Sequence, residues 1–265
     1  HPIVNLSVLK DGNLRIGTIM CFILGFGLYG STLIIPIYTQ SILGWTATDA
    51  GLLLIPGSIT TALMMPIVGT LIQKGVPQGY MVAVGFLIFF FFTLMMYNNM
   101  TPDTGTEHLY WPLILRGIGL GLLFVPITTL SLSTLKGKHI GEGAAFTGMM
   151  RQLGGSFGIA IITTFITRWT QEHRVNLVSH LDPTKFEVQQ RILGLQKNFM
   201  SKGYSSNEAL NKAYEIIDHS VMKQSTVLAY MDIFLYLGIL FLLCIPIIFF
   251  IKRGKNKIDL SEAMH

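Results

Sequence analysis

Residues 110–135, YWPLILRGIGLGLLFVPITTLSLSTL, decide how the rest of the chain is read. The stretch is apolar for about 20 residues, and at about 1.5 Å per residue that crosses a hydrocarbon core about 30 Å thick. It predicts a transmembrane helix. Several of its residues serve no purpose in a passive anchor: Arg116 in the first turns, glycines at 117, 119 and 121, and Pro126 near the middle. A charge at that depth costs about 3 kcal/mol on insertion scales, so it ordinarily faces a protein interior or a watery path.

The composition agrees with a membrane reading. The chain is 51% hydrophobic and only 12% charged, whereas a soluble domain is about a quarter charged. Its net charge of +5 does not point to nucleic acid, because Lys and Arg flank the apolar runs and form no continuous basic face. Cys21 and Cys244 both fall inside apolar runs, which leaves neither a disulfide framework nor a CxxC metal site, and no cofactor is expected. The chain begins His1-Pro2 without an initiator Met or a signal-peptide cleavage site, so a preceding portion is expected to be missing.

Six apolar runs are long enough to span: Leu14 to Tyr38, Ala50 to Ile72, Tyr80 to Tyr97, the opening stretch, Gly143 to Trp169, and Val227 to Ile251. In lipid the backbone is satisfied only by helices or a closed barrel. These runs far exceed a barrel strand of about ten residues, so helices are expected. The expected layout is a lead-in at 1–13, five spans within 14–168, an external loop at 169–226, a last span at 227–251 and a basic tail at 252–265. The third run, with FLIFFFFTLMM, carries no charge and reads as lipid-facing.

Lys10, Arg15, Lys74, Lys136, Lys138, Lys252, Arg253, Lys255 and Lys257 fall on one side, while the short loops 39–49 and 98–109 hold no Lys or Arg. The excess of basic residues puts both termini in the cytoplasm and Trp45, Tyr110 and Trp111 at the outer interface. The long loop would then face outward. Within it Asp182-Pro183 reads as a helix start before FEVQQRILGLQKNF, and Ser205 with Glu208 reads as a capping box before ALNKAYEIIDHSV. An external helical hairpin is expected, with a plain solvated connector as the alternative.

On the fifth span, steps of three or four from Arg151 collect Ala144, Thr147, Gly148, Gly154, Gly155 and Gly158. A face of small residues admits close helix approach, with Gly154 and Gly158 in small-xxx-small spacing. Gly117 and Gly121 suggest packing on the fourth span in the same way. Arg151 and Arg116 either line a pathway or stretch to the nearest headgroups. Asp232 lies at a depth similar to Arg116, so an ion pair between them is one expectation. Tyr29, Met149 and Gln152 join the two arginines as candidate pathway or gating residues. GIGLG at 117–121 has no preceding strand and so does not read as a dinucleotide loop. No nucleophile set, carboxylate pair or metal-ligand spacing lies within the spans, and catalysis is not expected.

The runs HPIVNLSVLKDGNLRIGT, YTQSILGWTATDAGLLLIPGSITTALMMPIVG, RGIGLGLLFVPITTLSLSTL and GMMRQLGGSFGIAIITT together resemble the C-terminal half of fourteen-span drug/proton antiporters of the major facilitator superfamily, of EmrB/QacA type. The resemblance implies an all-α membrane protein whose six transmembrane helices form one half, the C-terminal bundle, of a major facilitator fold with inverted three-helix repeats and a helical external loop. It implies that the first and fourth spans line the cavity, and that the second and fifth make a sliding contact with a missing N-terminal bundle. It also implies an inner-membrane exporter of amphipathic small molecules, driven by protons and working with a membrane-fusion adaptor protein. The superfamily's cytoplasmic signature, GxLxDRxGRR, is worn here to Gly69-Thr70-Leu71-Ile72-Gln73-Lys74-Gly75, with Gln73 in place of the acid. A dedicated transporter of one metabolite, such as a siderophore or fatty acid, and a non-transporting scaffold subunit remain the alternative readings.

Overall fold

The computed structural model describes residues 11–182 and 184–250. The lead-in before Asp11, the expected first-turn position of Pro183 and the basic tail from Ile251 lie outside the described residues. What is described is all α-helix joined by short turns: α1 (Gly12–Ser41), α2 (Ala47–Gln73), α3 (Gln78–Asn99), α4 (Thr106–Leu132), α5 (Lys138–Ser179), α6 (Phe186–Ser201), α7 (Ser206–Cys244) and a terminal 3-10 turn, Ile245–Phe250. Six of these helices are long and apolar enough to cross a membrane.

Local chemistry sets the helix ends. Asp11 caps α1 by accepting from the Leu14 amide at 2.9 Å, and it also accepts from Thr134 Oγ1 at 2.7 Å. The worn signature closes α2 as a Schellman turn, in which Gly75 takes φ +86° and the Gly75 and Val76 amides reach the carbonyls of Ile72 and Leu71. Gly203 ends α6 in the same way, at φ +93°.

The packing has an internal symmetry. The first helix of each group of three lies against the second helix of the other, α1 on α5 and α4 on α2. Both contacts are built on glycine. A Cβ on Gly154 or Gly25 would collide with the backbone of Phe22 or Arg151 across the α1–α5 contact, and one on Gly117 would collide with Gly57 across the α2–α4 contact. Gly121 lies under the Met64 side chain, and Gly158 close to the Phe26 carbonyl oxygen, 3.0 Å from where a Cβ would stand.

The third run is not simply lipid-facing, since Phe86, Phe89 and Phe92 of α3 are fully buried against α4 and α7, with Phe89 and Phe241 stacked at 4.1 Å. An uncharged aromatic run serves a helix–helix core as well as it serves lipid, so composition alone could not choose. The glycine flank of the fifth span admits the close helix approach expected of it. Gly154, Gly155 and Gly158 face α1, while Leu153, Phe157 and Ile161 of α5 are exposed.

The region before the last span is the expected helical hairpin, although it does not open near residue 170. Helix α5 continues to Ser179, and α7 runs unbroken from Ser206 through the last span, 42 and 39 residues respectively. Each is about 60 Å long, roughly twice the hydrocarbon core. Their projecting ends carry α6 between them. Asp182 does not cap α6. It forms a turn by accepting from the Thr184 amide and hydroxyl at 2.8 and 2.7 Å, bonds that hold its carboxyl below the ordinary range, and α6 begins only at Phe186. The Ser205–Glu208 capping box is present at the start of α7.

Candidate functional site

The middle of α1 gathers the polar groups of the bundle. Ser31 and Thr32 stand roughly three turns before the end of α1, and Arg116 roughly three turns after the start of the antiparallel α4, so they meet at one depth. Arg116 is 5% exposed. Its Nε donates to Ser31 Oγ at 3.0 Å, and its Nη2 donates to the Leu28 carbonyl at 3.3 Å and to Thr32 Oγ1. Both hydroxyls can accept because their own protons go to carbonyls one turn back, Ser31 to Gly27 and Thr32 to Leu28, each at 2.6 Å.

Arg116 therefore turns inward on α1 and does not stretch to the outer headgroups. The expected ion pair with Asp232 is not formed. Asp232 Oδ2 lies 2.7 Å from His173 Nε2 at the α5–α7 contact, and no described carboxylate oxygen lies within 4.0 Å of Arg116. Position along one helix was legible in the sequence; which residues of another helix stand beside it was not. The buried cation is held by hydroxyl and carbonyl dipoles alone, an arrangement that leaves its net charge uncompensated in a low-dielectric surrounding.

One residue further along α1 the polar group continues toward α5. Tyr29 Oη donates to Gln152 Oε1 at 2.9 Å, and the Tyr29 ring lies directly over Gly155, where a Cβ would clash with it. Met149 stands one turn before Gln152 with 40% of its surface exposed. Arg151 is half-buried and lays its guanidinium over the Phe124 ring of α4, 4.3 Å from the ring centre. Of the five candidate pathway residues, the structure joins Tyr29 to Gln152 directly, sets Arg116 on the neighbouring turn of α1, and leaves Arg151 with Phe124 and Met149 on the open side.

Sequence reasoning missed Ser31, Thr32 and Phe124. The signal for the first two was present, since an adjacent pair of hydroxyls interrupts an apolar run at the depth of Arg116. Phe124 carried none, being one aromatic among many.

Where α5 and α7 leave the bundle they are tied by His173 with Asp232, and farther along their projecting ends by Arg174 Nη2 with Asp218 Oδ1 at 2.7 Å. These bonds fix the stalk that lifts α6 away from the spans.

The pattern of the Major Facilitator Superfamily matches residues 1–159. The fatty acid resistance protein FarB of Neisseria gonorrhoeae is 30% identical over 253 residues, covering 95% of this chain and 48% of that protein. The multidrug export protein EmrB of Escherichia coli K12 is 26% identical over 253 residues with the same coverage, 95% and 48%. The colistin resistance protein EmrB of Acinetobacter baumannii is 23% identical over 260 residues, with 96% and 49% covered. This chain spans about half the length of the curated relatives it matches.

Proposed function

Because the chain belongs to the Major Facilitator Superfamily, a family of transporters and not of enzymes, we propose that it is the C-terminal bundle of a proton-driven exporter of amphipathic or lipophilic compounds. The observation that carries this reading is the polar group around the middle of α1, where Arg116 of α4, buried and without a described carboxylate partner, lies near the pair formed by Tyr29 of α1 and Gln152 of α5. A scaffold helix gains nothing from such residues, whereas a transport path needs them. The names of the relatives, fatty acid resistance and multidrug export, fit cargo of that chemical kind.

In this reading an N-terminal bundle completes the molecule, both ends of this chain face the cytoplasm, and alternating access rocks the two bundles about a central site. The exposed apolar surfaces of α2 and α5, including Leu63 and Phe157, meet that bundle and lipid. Arg151 acts as a gating cation, released from Phe124 as the bundles move. Tyr29, Gln152 and Met149 line the path, and Arg116 anchors the polar group near the outer mouth. The hairpin of α6 and the projecting ends of α5 and α7 is the surface offered to a membrane-fusion adaptor.

The test is efflux from cells carrying the full-length protein with Arg151→Ala. Transport is expected to be lost while the amount in the membrane stays unchanged. Normal efflux by that variant would remove the gating role, and normal efflux by both Arg151→Ala and Arg116→Gln would remove the path itself.

A further inference from the structure

A cavity of about 380 Å³ opens outside the membrane spans, between the projecting ends of α5 and α7 and the side of α6. That volume lies within the range of small-ligand pockets, roughly 300–1,000 Å³. The cavity exists because α6 is lightly held: none of its residues is fully buried, and it rests on α7 through half-buried Val188, Ile192, Leu195 and Phe199.

The wall is asymmetric in its chemistry. Leu177 and Leu181 of the α5 side and Ile216, Ile217 and Val221 of α7 supply aliphatic surface. The charged group on the wall is Arg191 of α6, with the His180 imidazole beside the α5 end. The remaining described lining residues, Ser220 and Gln224, are neutral, so no carboxylate is among the described residues that line the cavity. Arg191 makes no ion pair with a described carboxylate, although Glu187 stands one turn before it, whereas Arg174 on the neighbouring helix is taken up by Asp218. His180 is held in place because its Nδ1 donates to the Asn176 carbonyl at 2.7 Å, a carbonyl being able only to accept.

We infer that this cavity binds a single-chain amphipathic anion, its acyl or alkyl chain against the aliphatic wall and its carboxylate on the Arg191 guanidinium. A fork of guanidinium donors matches a carboxylate in charge and in geometry. An aliphatic wall with one free cation rejects the corresponding amine, because two like charges would then share one apolar pocket. Such a site stands where an exported amphiphile leaves the membrane. The export reading supplies only that direction; binding itself does not depend on it.

The experiment is equilibrium binding of decanoate to the full-length protein in nanodiscs made of zwitterionic lipid, with decanol and decylamine as comparisons. Decanoate should bind saturably and decylamine should not. Arg191→Glu should weaken decanoate by about tenfold or more, and Ile216→Trp, which puts an indole into part of the cavity, should weaken it as well. Competition by phosphatidylglycerol added to the nanodiscs would assign an anionic lipid as a natural occupant of the same site. Equal binding of decanoate and decylamine, or an unchanged affinity in Arg191→Glu, would overturn the inference. Efflux by the unsubstituted protein, measured alongside, separates the two proposals: efflux without saturable decanoate binding removes this site alone, and saturable decanoate binding without efflux removes the export reading alone.

Discussion

Gly154 of α5 lies so close to the carbonyl oxygen of Phe22 in α1 that a single methyl group would not fit between them. The obstacle is backbone, which has no rotamer to yield, so relief requires the two helices to part along their contact. Gly148, on the same helix and in the same candidate face, has nothing within 4 Å of its Cβ position. The two glycines look alike in sequence and are expected to behave oppositely. Gly154→Ala should lower thermal stability in detergent by an amount typical of overpacking, about 1–3 kcal/mol. Gly148→Ala should be neutral or stabilising by up to about 1 kcal/mol, since alanine favours a helix interior. Equal effects would mean that α1 and α5 are not packed as described.

Ser31 both accepts from Arg116 and donates to Gly27, so its removal leaves a buried guanidinium nitrogen without its acceptor. An unsatisfied buried donor of this kind costs about 1–3 kcal/mol. Ser31→Ala is therefore expected to destabilise the bundle, whereas Ser58→Ala on the exposed face of α2 should not, although both serines donate to a carbonyl one turn back. Arg116→Lys should not restore what Arg116→Gln loses, because an ammonium cannot reach Ser31, Thr32 and Leu28 from one planar fork. Thermal unfolding and efflux of the full-length variants check both statements, and full rescue by lysine would argue that only the charge matters.

The contrast between Gly154 and Gly148 shows how far the sequence could be read. Run length and hydropathy are properties of one helix, so the six spans and the small-residue face of α5 were legible from residues alone. Which neighbour covers that face is a property of two helices, and the sequence carried no rule that assigned α1 to it. The same limit explains Asp232. The sequence suggested a depth similar to that of Arg116, yet Asp232 pairs with His173, and its neighbour Tyr230 lies against Tyr38 and Ser41 of α1, nearer the end of that helix than the Ser31 and Thr32 that hold Arg116. The capping box at Ser205 and Glu208 was legible for the opposite reason, since every atom in it belongs to four consecutive residues.

Ser205 donates from both its amide and its hydroxyl to the Glu208 carboxylate, at 3.0 and 2.7 Å, and these bonds hold that carboxyl below its ordinary value of 4.5. A group whose folded value is depressed contributes stability above its unfolded value and loses it as pH falls through the folded one. The first turn of α7 should therefore be equally protected at pH 7 and pH 5 and should fray as pH falls below about 4.5. Hydrogen exchange over residues 206–212, corrected for the intrinsic rate, measures this. Glu208→Gln should flatten the profile; a profile unchanged by that substitution would show that another acid sets it.

Tyr29 Oη and Gln152 Oε1 form the hydrogen bond that ties the open side of the α1–α5 contact, and the bond is exposed. An exposed neutral bond contributes little net stability, about 0.5–1.5 kcal/mol at most, because water replaces either partner. The Tyr29 ring itself packs on Gly155, so the hydroxyl and the ring should separate in their effects. Tyr29→Phe keeps the ring contact and is expected to leave thermal stability nearly unchanged, while Tyr29→Ala opens a gap over Gly155 and should lower it. If the pair lines the path, Tyr29→Phe and Gln152→Ala should shift which compounds are exported in the same direction, and the double variant should shift no further than either single one. Independent, additive shifts in a panel of exported compounds would show that the two residues meet cargo separately and that their bond plays no part in selection.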